Sequence, residues 1–152
     1  MALADNGEHF MEEALRLAAR AEALGEVPVG ALVVKDGAII GRGWNQVITL
    51  ADPSAHAELL AIREACRALG NYRLEGCELF VTLEPCAMCA GLIVHSRLAR
   101  LTYGASDPKA GACGSVLPVL NHPALNHSVE TRTGVLAGRC AEQLQAFFRA
   151  KR

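Results

Sequence analysis

Two short segments of this chain carry the residue types of a metal-dependent hydrolase. The first is His56-Ala57-Glu58, and the second is Pro85-Cys86-Ala87-Met88-Cys89. Cys86 and Cys89 have the i, i+3 spacing that puts both on one face of a helix, and a helix N-terminus favours the thiolate form that zinc requires. With His56 they supply three protein ligands, which is the number that a catalytic zinc uses while a fourth position stays open to water. The sequence therefore predicts a catalytic zinc centre on His56, Cys86 and Cys89.

Glu58 follows His56 at the second position and is a poor zinc ligand in the company of two thiolates. Zinc lowers the pKa of a bound water to about 7, so a carboxylate beside that water can accept its proton and pass it to the substrate. We therefore predict that Glu58 is the proton shuttle of the site.

Other interpretations of these residues remain open when each segment is taken alone. A single Cys-x-x-Cys can be a redox pair or half of a structural zinc finger, a histidine at a helix start is usually a polar cap, and a glutamate there usually complements the helix dipole. The chain has no second Cys-x-x-Cys that would complete a finger. The joint occurrence of both segments favours the catalytic site.

The elements that must position these residues follow from hydrophobic periodicity and turn residues. In chain order the sequence predicts a helix ending at Gly25, strands over 29–34 and 38–44 joined at Asp36-Gly37, a helix capped from Asp52-Pro53-Ser54 and closed by Gly70, a strand over 77–83, a helix from Pro85 to about His95, a strand over 99–103, a loop over 104–114, a weaker strand over 128–133 and a helix over 138–149. Alternating strands and helices after a hairpin predict an α/β fold, with a mixed sheet and helices on its faces.

Length and composition bound the remaining possibilities. The 152 residues fit a single domain over 1–152, with a core over 8–149 and a basic C-terminal tail over about 147–152. The chain has no signal peptide pattern and no apolar run long enough to span a membrane, so we expect a cytoplasmic protein with reduced cysteines. The net charge of −1 requires that any contact with RNA come from a local basic patch. The tail is the obvious candidate, and Arg97, Arg100 and Lys109 could add to it.

The pairing of His-x-Glu with Pro-Cys-x-x-Cys resembles the cytidine/deoxycytidylate deaminase superfamily, whose zinc deaminases carry this signature. The resemblance to one branch, the bacterial tRNA-specific adenosine deaminases, covers nearly the whole chain. The segments that carry it are Glu26-Val27-Pro28-Val29-Gly30-Ala31, Gly43-Trp44-Asn45, Asp52-Pro53, His56-Ala57-Glu58, Asn71-Tyr72-Arg73-Leu74, Val81-Thr82-Leu83-Glu84-Pro85-Cys86, His95-Ser96-Arg97, Asn121-His122-Pro123 and Phe147-Phe148-Arg149.

The resemblance implies a three-layer fold like that of cytidine deaminase, one zinc per subunit and deamination of adenosine to inosine at the wobble position of a tRNA anticodon. It implies that Asn45 bonds the flipped base and that Val29 lines its pocket. It also implies that Asp107 meets a neighbouring sugar and that Phe148 and Arg149 approach the anticodon stem-loop. Pro108 and Cys113 depart from the family pattern. The family is homodimeric, and the apolar helix over 90–94 could form the subunit interface or belong to the core.

Two other functions compete with this one. A deaminase of free nucleobases or nucleosides, of the guanine or cytosine type, would use the same zinc apparatus. A zinc-stabilised RNA-binding or assembly protein without turnover would also keep the metal, but it gains nothing from Glu58. The basic tail favours an RNA substrate over a free base.

Overall fold

A computed structural model of the chain describes residues 6–151. The elements are α1 (Asn6–Ala23), β1 (Gly30–Lys35), β2 (Ala38–Trp44), α2 (Ala57–Leu69), β3 (Cys77–Leu83), α3 (Ala87–His95), β4 (Arg100–Ala105), β5 (Glu130–Thr133) and α4 (Ala137–Lys151). The strands form one sheet in the order β2-β1-β3-β4-β5. Strand β1 is antiparallel to both β2 and β3, whereas β3, β4 and β5 run parallel. The predicted mixed sheet is confirmed.

The helices cover both faces of this sheet, as predicted. Successive side chains of a strand point to opposite faces. On β1, Ala31 and Val33 lie in a buried cluster with residues of α2 and α3. Leu32 and Val34 lie in a second buried cluster with residues of α1 and α4. The molecule is therefore a three-layer α/β/α fold with apolar packing on each side of β1.

The local turn signals are confirmed at two positions, and the predicted helix cap is wrong. Asp36 and Gly37 both have positive φ, as a tight hairpin requires, and Gly70 ends α2 in the left-handed region. Asp52, however, closes its own turn, because its Oδ1 accepts hydrogen bonds from the backbone and side chain of Ser54. The N-cap of α2 is His56, whose side chain makes no capping hydrogen bond.

The strand register brings the predicted site residues to one edge of the sheet. Gly30, at the start of β1, pairs with Trp44 at the end of β2, and Leu83 at the end of β3 pairs with Ala105 at the end of β4. Because β1 is antiparallel to β3, its beginning lies beside the end of β3. The segments that follow β2, β3 and β4 therefore all leave the sheet at this edge.

The last helix is longer than predicted. Helix α4 continues through Lys151, two residues beyond the predicted end at Arg149, so the basic residues 149 and 151 lie on its last turn. Phe147 is buried and anchors that turn against the body of the protein. Arg152, the last residue of the predicted tail, lies outside the described residues. Within residues 6–151, no helix combines the length and the apolar character needed to cross a bilayer.

Helix α2 packs on β2 at a distance that only glycine permits. A Cβ on Gly43 would lie 2.2 Å from the carbonyl oxygen of Ala57, and one on Gly41 would lie 2.3 Å from that of Ala61. Both obstacles are helix backbone, which cannot move aside as a flexible side chain can. The start of α2, and with it His56, is thus fixed by direct contact with the sheet.

We expect Gly43→Ala to shift α2 and to destabilise the protein by about 1–3 kcal/mol or more, as overpacking of a tight interface does. Gly138→Ala is the matched control, because its added Cβ meets nothing within 4 Å and it lies in a helix, where alanine is preferred. Thermal unfolding of both variants measures the difference. A Gly43→Ala protein as stable as Gly138→Ala would contradict the packing described here.

Candidate metal centre and active site

Two helix N-termini bring one histidine and two cysteines together. His56 is the N-cap of α2, Cys86 is the N-cap of α3, and Cys89 lies in the first turn of α3. The Nδ1 atom of His56 lies 3.6 Å from the Sγ of Cys86 and 3.7 Å from the Sγ of Cys89. All three potential ligand atoms lie within 4.8 Å of one another. The residues predicted as ligands therefore form one group.

The chemistry of this donor set fits zinc. One imidazole nitrogen and two thiol sulfurs are ligands that zinc prefers, and separations of this size surround a single ion. Within residues 6–151, no fourth histidine, cysteine or carboxylate joins the group. A structural zinc site normally closes with four protein ligands, whereas a catalytic site uses three. The arrangement has the composition of a catalytic site.

Hydrogen bonding inside the group favours a thiolate. Hydrogen bonds from Cys89 and from His56 lower the pKa of Cys86 to about 3. The bond to Cys86 in turn raises the pKa of His56. The thiol of Cys89 has its pKa raised, first by its hydrogen bond to Cys86 and then by burial. Cys86 is therefore the thiol that ionises first, and a metal ligand must be ionised in this way.

Glu58 lies next to this group, in the first turn of α2. Its side chain is buried, with 4% of the residue exposed, and burial raises the pKa of its carboxyl to about 7. His56 and Cys86 are the charged neighbours that act on that pKa. A carboxyl with a pKa near the working pH can both accept and donate a proton, which general acid-base catalysis needs.

Asn45 connects β2 to the start of α2. Its side-chain Oδ1 accepts a hydrogen bond of 2.8 Å from the backbone N–H of Ala57. The backbone N–H of Asn45 donates to the carbonyl of Val29. Asn45 is thus bonded to the residue that follows the histidine ligand. The amide nitrogen Nδ2 is the remaining donor of this side chain. Val29 is almost fully buried beside Asn45.

The loop after β4 faces the C-terminal end of α4. Asp107 closes a turn, since its Oδ1 accepts hydrogen bonds from the N–H groups of Lys109 and Ala110. Residues 105–109 and the α4 residues Leu144, Gln145 and Phe148 line one groove of about 570 Å³. A neighbouring cavity of about 590 Å³ shares Lys109, Gln145 and Phe148 and adds Arg149 and Lys151. The two cavities adjoin at these shared residues, and we refer to them together as the groove between the 105–109 loop and α4.

The structure shows whether Lys109 and Arg100, which could add to the basic C-terminal tail, lie near it. Lys109 does join it, because it lines the same groove as Arg149 and Lys151. Arg100 does not, because it lies at the opposite edge of the sheet, where it forms ion pairs with Glu78 and Glu130. Arg149 itself forms an ion pair of 2.8 Å with Glu142.

Two buried glutamates near the site were not predicted from the sequence. Glu26 is only 2% exposed, and its carboxylate accepts hydrogen bonds from the N–H of Ile48 and from the N–H and hydroxyl of Thr49. It holds the loop that follows Asn45. Glu84 holds the loop after β4 in the same manner. Neither had a signal of burial in the sequence, since acidic residues are almost never fully buried unless they are paired.

A three-layer α/β/α fold with a His/Cys/Cys group at two helix N-termini and a buried glutamate beside it is the arrangement of a zinc-binding deaminase. The family model of the cytidine and deoxycytidylate deaminase zinc-binding region matches residues 4–105. The tRNA-specific adenosine deaminase of Haemophilus influenzae is 51% identical over 95% of this chain and 84% of its own length. That of Bacillus subtilis is 49% identical over 95% of this chain and 90% of its own length.

A solved structure gives the same result in three dimensions. It comes from a study of A-to-I editing by tRNA:A34 deaminases at the wobble position of transfer RNA. Its TM-score is 0.87 at 47% identity, with 90% of this chain and 99% of that chain covered. The chain therefore belongs to the cytidine and deoxycytidylate deaminase family, in the branch of the tRNA-specific adenosine deaminases.

We expect Cys86→Ser and Cys89→Ser to lose most of their bound zinc and to unfold at a lower temperature than the parent, because metal binding is coupled to folding. Cys66→Ser is the matched control, since this half-buried thiol bonds the carbonyl of Tyr72 and is not part of the group. Metal analysis of the purified proteins measures the effect. Full zinc content in both variants would contradict the assignment of the ligands.

Proposed function

We propose that this protein catalyses the hydrolytic deamination of adenosine to inosine at the wobble position of a tRNA anticodon. The observation that carries this function is the coincidence of two findings on one chain. The chain is about half identical to tRNA-specific adenosine deaminases along nearly its whole length. It also brings His56, Cys86 and Cys89 together at one edge of the sheet, with the buried Glu58 in the first turn of the same helix that His56 caps.

In the reaction, water adds to C6 of adenine, the 6-amino group takes up a proton, and the bond from C6 to nitrogen breaks. Adenosine and water thereby become inosine and ammonia. His56, Cys86 and Cys89 hold the zinc, one ion per subunit. A zinc ion in such a site supplies the Lewis acidity that turns water into a nucleophile at neutral pH. The protein's own residues must position the base and move the protons.

Glu58 is the residue that moves the protons. Its carboxylate removes a proton from the attacking water and delivers it to the leaving amine, so the same oxygen atoms act first as base and then as acid. Burial among apolar residues of α2 and the sheet keeps bulk water from competing for these protons. Asn45 donates a hydrogen bond from Nδ2 to the edge of the base, and Val29 forms part of the wall of the pocket.

The groove between the 105–109 loop and α4 is the surface that we propose for the RNA around the target base. Lys109, Arg149 and Lys151 place positive charge along it, and Phe148 is 46% exposed, so its ring is available for stacking on a neighbouring base. Asp107 lies at the same loop, where a ribose hydroxyl could bond its carboxylate. An anticodon loop suits this surface, because its bases are already partly unstacked and cost little to extrude.

We further propose that residues 1–152 form one domain and that the protein acts as a homodimer in the cytoplasm. The support for a dimer is a mainly apolar groove of about 270 Å³ between α2 and α3, lined by Cys66, Tyr72 and Leu92 among others. Met88 on α3 is also exposed. A second subunit would cover these apolar side chains.

The direct test is inosine formation in an anticodon stem-loop that carries adenosine at the wobble position. We expect the zinc-loaded protein to convert the stem-loop and to leave free adenosine, guanine and cytosine nearly unchanged. Equal turnover of free guanine or cytosine would instead favour a small-molecule deaminase. Zinc-loaded protein without any turnover would favour a binding protein.

Glu58→Gln tests the proton shuttle in the same assay. This variant should keep its zinc and its fold but lose about 10²–10⁴-fold in rate, the usual contribution of a positioned acid-base group.

Asn45 can be tested with two substitutions that separate its two hydrogen bonds. Asn45→Asp keeps the oxygen that accepts from Ala57 but lacks the Nδ2 donor, whereas Asn45→Ala lacks both. We expect both variants to raise KM for the stem-loop by about tenfold to a hundredfold, the cost of an unpaired polar group on the base. Only Asn45→Ala should also lower the unfolding temperature. An unchanged KM in Asn45→Asp would limit Asn45 to its structural bond.

A further inference from the structure

The buried carboxylate of Glu84 lies between the zinc ligands and the loop after β4. Glu84 directly follows β3 and precedes Pro85 and Cys86, and only 2% of the residue is exposed. Its Oε1 accepts a hydrogen bond of 3.0 Å from the N–H of Asp107 and another from the hydroxyl of Ser115. Its Oε2 accepts bonds of 3.0 and 3.1 Å from the N–H groups of Cys113 and Ser115. Each oxygen of this carboxylate is thus occupied by two donors from one loop.

The loop is shaped to fit around this carboxylate. A Cβ on Gly111 would lie 2.4 Å from the carboxyl carbon of Glu84 and 2.5 Å from each of its oxygens. Gly111 has no positive φ, so the backbone there would accept alanine, and the three atoms nearest to such a Cβ all belong to the Glu84 carboxylate. The chain therefore lacks a side chain at the point where the loop passes over Glu84.

The same loop is bonded to the segment that carries the ligands. The N–H of Ala112 donates to the carbonyl of Pro85, the residue before Cys86, at 2.9 Å. Burial and the charge of Glu84 raise the pKa of the Cys113 thiol, and the charges of Glu58 and Cys86 add to the rise, so this loop residue lies near the group of His56, Cys86 and Cys89. At its other end, the loop carries Asp107 and Lys109 on the wall of the groove that faces Phe148. Glu84 thus connects the metal centre to one wall of the proposed RNA groove.

We infer that Glu84 is a positioning residue for substrate binding, which sets the 106–115 loop, and with it Asp107 and Lys109, at a fixed distance from the zinc ligands. This inference rests on the proposed function, because it takes the groove between the 105–109 loop and α4 to bind the substrate RNA. Glu84 touches neither the metal ligands' side chains nor the reacting atoms in this scheme. Its effect is on the geometry of binding, and it should therefore appear in KM more than in kcat.

Glu84→Gln is the substitution that tests the inference with the least change in shape. Whichever way the glutamine amide is turned, its NH₂ group faces at least one backbone N–H that had donated to the carboxylate, so that hydrogen bond is lost. We expect the backbone N–H groups of 107–115 to exchange with solvent faster, and KM for the stem-loop to rise by about tenfold to a hundredfold, as for other small displacements of binding groups. The zinc content and kcat should stay near those of the parent.

Glu78→Gln is the matched control, because it makes the same change in a carboxylate on β3, the strand that Glu84 directly follows. Glu78 lies at the opposite end of β3, where it accepts a 2.6 Å hydrogen bond from Thr102 and pairs with Arg100 and Arg132. This variant should leave both KM and the exchange of the 107–115 amides unchanged. An equal rise in KM in both variants would mean that loss of any hydrogen-bonded carboxylate near β3 has this effect, and would overturn the inference.

A second pair of variants tests the close contact itself. As a single substitution, Gly111→Ala should raise KM, because its Cβ displaces the carboxylate of Glu84. In a protein that already carries Glu84→Ala, the carboxylate is absent, so Gly111→Ala should cause no further rise in KM. If the rises in KM of the two single variants added up in the double variant, the two residues would act independently, which would contradict the contact between them. Loss of zinc from Glu84→Gln in proportion to lost kcat would also overturn the inference, since Glu84 would then serve the metal centre.

The proposed function and this inference fail in different ways. If the parent protein does not convert the stem-loop, the proposed function fails, whatever the variants do. Hydrogen exchange of the loop needs no substrate and is measured on the same zinc-loaded proteins. Unchanged exchange in the 107–115 amides of Glu84→Gln would overturn the inference while the parent remained a tRNA deaminase.

Discussion

The site depends above all on the contact between two helix N-termini and one edge of the sheet. His56 and Cys86 cap α2 and α3, so the position of every ligand is the position of a helix start. Gly43 lets the backbone of α2 lie directly on β2, and Asn45 bonds the first N–H of that helix from the end of the same strand. The first contact joins backbone to backbone, and the second is a single short side chain bonded to the helix start, so together they fix where α2 begins. The two helix starts therefore bring the atoms that could bind a metal within 4.8 Å of one another.

The loops around this rigid centre are organised by buried charge. Glu26 and Glu84 each supply a carboxylate to several N–H donors, and each is buried at the edge where the strands end. An irregular loop has many backbone groups without partners in regular structure, and a buried carboxylate satisfies several of them at once. This arrangement gives the loops fixed shapes next to a pocket that must accept a large base. Substrate recognition can then vary in the loops while the metal centre stays unchanged.

Much of the fold followed from local signals in the sequence. The alternation of apolar residues located the strands to within a residue or two, and Asp36-Gly37 and Gly70 marked a hairpin and a helix end that the structure confirms. The cap of α2 was predicted wrongly, because Asp52 and Ser54 look like capping residues but bond each other, whereas the real partner is Asn45, distant in sequence. The end of α4 was predicted two residues too early, because the packing that buries Phe147 and supports the last turn depends on the tertiary fold. Glu26 and Glu84 could not have been found, because a carboxylate in the sequence shows nothing of the donors that the fold brings to it.

The central claim is that two helix starts assemble one open zinc site from one nitrogen and two sulfurs. X-ray absorption spectroscopy at the zinc edge of the purified protein counts those ligands directly. The account predicts two sulfurs at about 2.3 Å and two lighter atoms, nitrogen or oxygen, at about 2.0–2.1 Å. A shell of three or four sulfurs, or one without sulfur, would contradict it.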